Sequence, residues 1–240
     1  MNILAINGSP KGSAGNTEVL IRAFLDGAAQ TGDSTETVYL KEKKIERCVG
    51  CLSCWFKTPG VCVFKDDMAE LLEKIRCAEI LIFGSPLYFF NFTGIMKDFT
   101  DRLVPFWQPF IDFEDGISTH PSRYKDFKPK AVVLISNSAF PEQVHFDGMK
   151  QIFNSVAQGF RPAKPNIICC AGGVLLKMPE ARDIITWYVD AVKKAGSEVA
   201  RDGAIHADTQ EILERPLIDD AKAYSQRANA LWESMGLKRI

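Results

Sequence analysis

Four short apolar runs and one alternating run rich in β-branched residues, separated by segments with helical periodicity, constrain the fold of this chain more than any other feature. The runs cover residues 3–6, 35–40, 79–84, 131–135 and 166–170. Short apolar runs bounded by turn-forming residues predict buried strands, and strands that alternate with helices predict a parallel sheet with helices on both faces. The expected fold class is therefore α/β, a doubly wound five-stranded parallel sheet.

Helical periodicity places six helices between and after these strands. We expect them over residues 17–29, 94–103, 149–158, 180–200 and 216–235, together with a helix that Asp66 and Asp67 open. Carboxylates in a first turn are stabilised by the positive end of the helix dipole, and Pro216 suits a first-turn position. Residues 105–128 show no clear period and are rich in aromatic side chains. We interpret them as an insertion that forms a lid or subunit contact, or that covers apolar surface.

Length and charge narrow the function classes. The chain has 240 residues, with 29 basic and 30 acidic side chains and a formal net charge of -1. This balance argues against a nucleic-acid-binding protein, because such proteins carry a basic excess. The sequence contains no apolar stretch of about 18 residues that predicts a membrane-spanning helix, and the first residues lack the features of a signal peptide. We therefore expect a cytoplasmic protein that does not associate with membranes.

A glycine-rich loop follows the first strand, where open α/β sheets bind their ligands. Its glycine spacing matches neither the Walker loop nor the dinucleotide fingerprint. Backbone amides and a helix N-terminus favour an anion, so the loop suits a terminal phosphate monoester held without a metal; the alternative is a plain glycine-rich turn. The candidate phosphate-binding residues are Ser9, Lys11, Gly12, Ser13, Asn16 and Thr17.

Two further loops are expected at the same edge of the sheet. Ser85-Pro86 is a rigid, extended step at the end of the third strand, and aromatic side chains after it offer a surface to a flat ring; their alternative role is core packing. The candidates in the loop after the third strand are Ser85, Pro86, Leu87, Tyr88, Phe89 and Phe90. Those in the loop after the fourth strand are Ser136, Asn137, Ser138 and Phe140.

At these residues the chain resembles the flavodoxin-like NAD(P)H-dependent FMN reductases. The motifs that carry the resemblance are Gly8-Ser9-Pro10-Lys11-Gly12, Gly15-Asn16-Thr17, Gly84-Ser85-Pro86-Leu87-Tyr88-Phe89, Thr93-Gly94-Ile95-Met96-Lys97-Asp98-Phe99 and Asp101-Arg102. The resemblance implies the flavodoxin-like strand order 2-1-3-4-5. It also implies that the first loop binds the phosphate of FMN and that the other two frame the flavin ring. No side chain is expected to be catalytic, because the flavin carries the chemistry.

Four cysteines are concentrated in one short segment: Cys48, Cys51, Cys54 and Cys62. Closely spaced cysteines of this kind can hold one iron-sulfur cubane, whereas structural zinc usually takes two separated pairs. The segment resembles that of the iron-sulfur flavoproteins, which implies a [4Fe-4S] cluster beside FMN. The spacing itself leaves open a redox thiol pair, a zinc site or free thiols.

The remaining cysteines lie in apolar sequence surroundings. They are Cys77, Cys169 and Cys170. Because a free cysteine usually behaves as a small apolar side chain, we expect all three in the core. An intracellular location also makes disulfides improbable for all seven cysteines.

These observations favour an FMN-dependent oxidoreductase in which NAD(P)H delivers hydride to the flavin. The electrons then pass to an unidentified small-molecule or protein acceptor, directly or through a cluster. One alternative is an electron-transfer module that exchanges electrons with ferredoxin-like partners; another is a sensor that uses the cysteines. We expect one domain over residues 1–240 that forms a homodimer or homotetramer. Its additions are a cysteine-rich insertion at 47–63, the aromatic insertion at 105–128 and a helical extension at 203–240.

Overall fold

The strands follow the predicted pattern closely. The structure, a computed structural model, describes residues 1–29, 32, 34–114 and 116–238. In chain order its strands are β1 (Asn2–Asn7), β2 (Ser34–Tyr39), β3 (Ile80–Pro86), β4 (Asp112–Glu114), β5 (Ile117–Thr119), β6 (Ala131–Asn137) and β7 (Lys164–Cys170). The main sheet is parallel and has the order β2-β1-β3-β6-β7. Since β4 and β5 form a separate hairpin, this is the predicted order 2-1-3-4-5 of the five runs.

Helices cover both faces of the sheet, as predicted. In chain order they are α1 (Asn16–Ala28), α2 (Ser53–Phe56), α3 (Met68–Cys77), α4 (Gly94–Asp101), α5 (Asp147–Gln158), α6 (Arg182–Asp202), α7 (Ala207–Leu213) and α8 (Ala221–Ser234). The apolar faces of α3, α4 and α5 form one core with one side of the sheet. Those of α1, α6 and α7 form the other core. None of the helices in the described ranges is long and apolar enough to cross a membrane.

The C-terminal region corrects the prediction of one helix over residues 216–235. Its helix α8 begins only at Ala221, because the carboxylate of Asp220 accepts a hydrogen bond from the amide of Ala223 at 2.8 Å and caps the helix there. Pro216 therefore precedes the helix. The short helix α7 was not predicted. Residues 239–240 of the proposed extension lie outside the described residues.

The aromatic insertion is partly ordered by the core. Two aromatic side chains from its ends are buried, and the rings of Phe106 and Phe127 lie 4.8 Å apart. The indole of Trp107 donates a hydrogen bond to the carbonyl of Gly159 at 3.0 Å. Between these anchors the chain forms the β4–β5 hairpin, which the aperiodic sequence did not predict. These contacts support the interpretation that the ends of the insertion cover apolar surface.

The three cysteines outside the four-cysteine segment differ in their burial. Cys169 and Cys170 are buried in β7, as expected, and burial raises the pKa of each thiol to about 12. The prediction for Cys77 was wrong: this thiol is exposed at the end of α3. Its apolar sequence neighbours Ile75 and Ala78 are buried, but Cys77 lies on the outward side of the helix end.

The parallel register brings the carboxyl ends of the strands to one edge. Asn7 at the end of β1 pairs with Tyr39 and Gly84, and Asn137 at the end of β6 pairs with Pro86 and Cys170. The three loops singled out in the sequence leave the sheet from this edge. Ligand sites of open α/β sheets occur at such an edge.

Candidate functional site

A cavity of about 280 Å³ lies at the carboxyl edge of the sheet. We call it the edge cavity; its lining is Ser9, Lys11, Gly15, Asn16, Thr17, Pro86, Leu87, Tyr88, Asn137, Ser138, Ala139 and Val174. Among these residues there is no carboxylate, and Lys11 contributes a positive charge. One end of the cavity is formed by small polar residues and the other by apolar and aromatic ones. This distribution fits a ligand that has both an anionic and a flat apolar part.

The loop after β1 places the start of α1 against the edge cavity. A single helical turn over Gly12–Ala14 folds the loop back, with Gly12 in the left-handed region at a φ of 53°. At Gly15 a Cβ atom would lie 2.6 Å from the hydroxyl oxygen of Ser9, so any larger residue would displace that side chain. The first helical residues, Asn16 and Thr17, then reach the cavity, where the helix dipole favours an anion.

A buried hydrogen-bond network supports the loop after β1. The Glu18 carboxylate is buried and accepts from the Asn7 amide at 2.9 Å and from the Tyr39 hydroxyl at 2.8 Å. Asn7 in turn accepts from the amide of Ser9 at 2.9 Å. Burial, together with the neighbouring Glu18 carboxylate, raises the pKa of Tyr39. The sequence analysis missed this network; a glutamate in the first turn of α1 was its only signal.

Thr93 connects the loop after β3 to the loop after β1. Its hydroxyl accepts a hydrogen bond from the amide of Met96 at 3.3 Å and so caps α4. The same hydroxyl donates to the carbonyl of Gly8 at 2.6 Å and so fixes the loop after β1. The buried hydroxyl of Ser85 accepts from the amide of Thr93 at 3.1 Å. Ser85 therefore positions the loop and does not line the edge cavity.

Two consecutive phenylalanines have left-handed backbones at the tip of the same loop. The φ angles are 48° at Phe89 and 64° at Phe90, and their side chains are 98% and 52% exposed. Bulky residues rarely adopt this conformation, and such strain is concentrated at functional sites. The ring of His145 lies between Phe90 and Phe140, with centroid distances of 5.7 and 4.9 Å. The result is an exposed aromatic surface rather than core packing.

The structure brings part of the predicted set to the edge cavity. The predicted residues that line it are Ser9, Lys11, Asn16, Thr17, Pro86, Leu87, Tyr88, Asn137 and Ser138. Gly12 is buried in the turn, Ser13 is exposed, and Ser136 is buried within β6. Asn137 also donates to the hydroxyl of Thr17 at 2.7 Å, which joins the first and third loops. Gly15 and Ala139, which also line it, lie within the predicted loops but were not singled out, and sequence reasoning missed Val174.

The four clustered cysteines line a second cavity, of about 80 Å³. We call it the cysteine cavity; its lining is Cys48, Val49, Gly50, Cys51, Leu52, Cys54, Cys62, Val63, Phe64, Asp101, Arg102, Val104 and Pro105. All seven cysteines of the chain are described, and each is a free thiol. Four thiols on one small cavity form a ligand set of the kind that holds a metal or cluster.

The thiols influence one another electrostatically. Burial raises the pKa of Cys54, and the neighbouring charges of Cys62, Cys51 and Cys48 raise it further. The pKa of Cys51 is lowered, chiefly by hydrogen bonds from Ser53 and to a lesser extent by the charge of Lys57. Deprotonation of Cys54 is therefore opposed by negative charge on its neighbours, and a bound cation or cationic cluster would relieve that repulsion.

The four thiols are not gathered around one point. Within the cysteine segment, which is described throughout, no three ligand atoms of Cys, His, Asp or Glu lie within 4.8 Å of one another. A single zinc ion with Zn–S bonds of about 2.3 Å would need the sulfur atoms roughly 3.8 Å apart.

A buried ion pair borders the cysteine cavity. The guanidinium of Arg102 donates to both carboxylate oxygens of Asp66, at 2.7 and 3.0 Å, and to the carbonyl of Glu46 at 2.6 Å. The side chains of Arg102 and Asp66 are 1% and 0% exposed. Burial tends to raise the pKa of Asp66, but hydrogen bonds from Arg102 and from two backbone amides outweigh it and hold the pKa below its ordinary value. In the sequence Asp66 was interpreted only as a helix-opening residue.

Helix α4 joins the two cavities. Its N-terminal cap, Thr93, contacts the loop after β1, and Arg102 follows its last turn at the cysteine cavity. Eight helical residues span roughly 12 Å. The indole of Trp55 in α2 donates to the carbonyl of Val104 at 3.2 Å and so fixes the cysteine segment to the same end of α4.

Part of the chain is similar to curated iron-sulfur flavoproteins. An iron-sulfur flavoprotein of Archaeoglobus fulgidus is 39% identical over 102 residues, which is 42% of this chain and 48% of that protein. One of Methanocaldococcus jannaschii is 38% identical over 105 residues, covering 44% and 53%. The matched region thus spans about half the length of these relatives.

The fold is shared with solved flavoproteins. The FMN complex of an FMN-dependent NADH-azoreductase from Bacillus anthracis superposes with a TM-score of 0.59 at 17% identity, over 83% of this chain and 99% of that one. The family model described as NADPH-dependent FMN reductase matches residues 1–162, which include all three loops and the cysteine segment. On that match, the chain belongs to the NADPH-dependent FMN reductase family.

Proposed function

We propose that this protein is an FMN-binding oxidoreductase that accepts electrons from NADH or NADPH and delivers them to a separate acceptor. The observation that carries the proposal is the edge cavity, where a helix N-terminus and uncharged donors adjoin an apolar, aromatic wall. FMN has the matching parts, a phosphate and a flat ring. When bound, it takes up hydride and releases the electrons to an acceptor.

The residues of the edge cavity would divide the binding of FMN between them. Ser9, Asn16 and Thr17 surround the start of α1 and would hold the phosphate with the helix amides. Pro86 and Tyr88 would border the ring. Phe89 and Phe90 hold an exposed aromatic surface beyond it, where a nicotinamide or an aromatic acceptor can stack.

We further propose that Cys48, Cys51, Cys54 and Cys62 hold a [4Fe-4S] cluster. All four line one cavity, and closely spaced cysteines of this kind can hold one iron-sulfur cubane. Such a cluster supplies one-electron chemistry. We expect Cys51→Ser to remove iron and sulfide from the anaerobically purified protein and to leave the FMN content unchanged. The exposed Cys77 offers a matched control, and Cys77→Ser should keep both.

A second candidate function is electron transfer to a protein partner without turnover of a small molecule. The rim of the cysteine segment favours it, because Val49, Phe56 and Val61 are 66%, 70% and 60% exposed. Exposed apolar side chains around a redox site are typical of partner contacts. The steady-state oxidation of NADH and NADPH by the FMN-loaded protein separates the two functions. Turnover supports the reductase, and reduction by a ferredoxin alone supports the carrier.

Assembly and location are part of the proposal. We expect a homodimer or homotetramer, since α8 has no buried residue and exposes Leu231, Trp232 and Met235. Light scattering that gives the mass of a single chain would contradict this. The free thiols suit the reducing cytoplasm, where we expect the protein.

A further inference from the structure

One hydrogen-bond donor beside the cysteine cavity lacks a partner at hydrogen-bond geometry, although the guanidinium that carries it also interacts with the thiol of Cys62. The Nε atom of Arg102 is buried and unpaired, although the other two nitrogens of the same guanidinium are paired. A buried N–H group without an acceptor is energetically costly, and more so when the side chain is charged. Arg102 also lines the cavity that the four cysteines surround.

The surroundings of Arg102 leave it little freedom to turn away. Asp66 is saturated, because it accepts from Arg102 and also from the amides of Glu46 and Met68, at 2.9 and 3.1 Å. The guanidinium lies over the ring of Phe64 at 5.1 Å, and Phe64 is itself part of the cavity lining. The side chain is therefore fixed on three sides, and its free donor remains at the cysteine cavity.

We infer that Arg102 tunes the cluster by donating its Nε–H to a sulfur atom of the [4Fe-4S] group. The inference rests on the proposed cluster. A hydrogen bond from a buried cation stabilises the form of the cluster that carries one more negative charge, which is the reduced form. Arg102 thereby raises the reduction potential. The ion pair with Asp66 holds the donor in place.

The test compares two variants with a control. Arg102→Gln combined with Asp66→Asn replaces the buried ion pair with two neutral amides, so that no charge is left unpaired. Arg102→Lys keeps the positive charge beside Asp66 but has no donor at the Nε position. The control is Arg47→Gln, because Arg47 precedes Cys48 but is 86% exposed and is paired with Asp98 at 3.5 Å.

The measurement is a redox titration of the anaerobic holoprotein, followed by the electron paramagnetic resonance of the cluster. At a fixed potential we expect the ratio of reduced to oxidised cluster to fall about tenfold in the double variant, which is a midpoint lower by about 59 mV for one electron. In Arg102→Lys the midpoint should also fall. In Arg47→Gln the ratio should change less than about twofold, because water and salt screen its charge.

The outcomes separate this inference from the proposed function. Wild-type protein that binds FMN but no iron after anaerobic reconstitution overturns the cluster and the inference together. A cluster whose midpoint is unchanged in the double variant overturns only the role of Arg102. If the double variant loses its cluster, the midpoint of Arg102→Lys is compared with that of the wild type instead. An unchanged midpoint in Arg102→Lys then overturns the role of Arg102. Loss of the cluster from both variants, with FMN retained, also overturns the inference, since it would assign Arg102 to assembly.

Discussion

Asp66 carries a fully buried charge whose pairing has a measurable pH dependence. We expect Asp66→Asn to lower the free energy of unfolding by about 3–5 kcal/mol at pH 7, because Arg102 is left buried without a counter-charge. The pKa of Asp66 lies lower in the folded than in the unfolded protein. Its stabilisation is therefore complete above the ordinary aspartate pKa of about 3.9 and is lost as the pH falls through the lower folded value.

Urea unfolding at several pH values checks this prediction. The difference between wild type and Asp66→Asn should be constant near neutral pH and shrink below about pH 4. Asp126→Asn is the control, since Asp126 is 78% exposed and its contact with Arg76 is 3.7 Å long. A variant that unfolds like the wild type at pH 7 would show that the ion pair contributes nothing.

Phe89 combines an exposed side chain with a left-handed backbone. We expect Phe89→Gly to raise the free energy of unfolding by about 0.5–1 kcal/mol, because glycine adopts this φ without strain. The same change should raise the KM for an aromatic acceptor several-fold, because the proposed stacking surface is lost. Phe110→Gly is the matched control: Phe110 is 67% exposed and has no positive φ, so glycine should destabilise there. Equal effects of the two substitutions on the free energy of unfolding would show that the backbone of Phe89 is not strained.

At the scale of elements, α4 is the part that joins the two candidate sites. Thr93→Ala removes the helix cap and the bond to Gly8 together, so we expect a loss of about 1–2 kcal/mol in the free energy of unfolding. FMN binding should weaken several-fold, since the loop after β1 loses a support. Thr93→Ser keeps the hydroxyl and should restore both quantities. Fluorescence titration with FMN and urea unfolding measure them; unchanged FMN affinity in Thr93→Ala would separate α4 from the flavin site.

The elements also show why some sequence predictions succeeded. Four strands of the main sheet were predictable because they are short apolar runs, and β2 because its residues alternate and are rich in β-branched side chains. The parallel order then fixed which loops meet. The start of α8 was not predictable, because the helical periodicity of the sequence continues upstream of Ala221. The capping contact of Asp220 sets where the helix begins. Cys77 was misplaced because the helix end turns it outward although Ile75 and Ala78 near it are buried.

At the scale of the whole molecule, the sites depend on contacts between distant segments. Cys48 to Cys62 are close in sequence, so their grouping was predictable. The pair of Arg102 with Asp66 joins residues 36 positions apart, and that of Asn137 with Thr17 joins residues 120 apart. Sequence periodicity carries no information about such pairings. They follow from the strand order and from the return of each helix to the sheet.

The arrangement of the whole chain is consistent with separate sites for the proposed flavin and the proposed cluster. The edge cavity and the cysteine cavity lie at opposite ends of α4, and the loops that form them are connected by hydrogen bonds rather than by flexible linkers. A flavin site and a cluster site held by one rigid helix suit a protein that converts two-electron donors to one-electron transfer.

The central claim is that the loop after β1 binds the phosphate of FMN. The most direct test is to titrate flavin-free protein with FMN and, separately, with riboflavin, which lacks only the phosphate. Charge-assisted hydrogen bonds contribute about 1.5–3 kcal/mol each, so the account predicts that FMN binds at least about 100-fold more tightly than riboflavin. Equal affinity for the two flavins, or no binding of either, would contradict it.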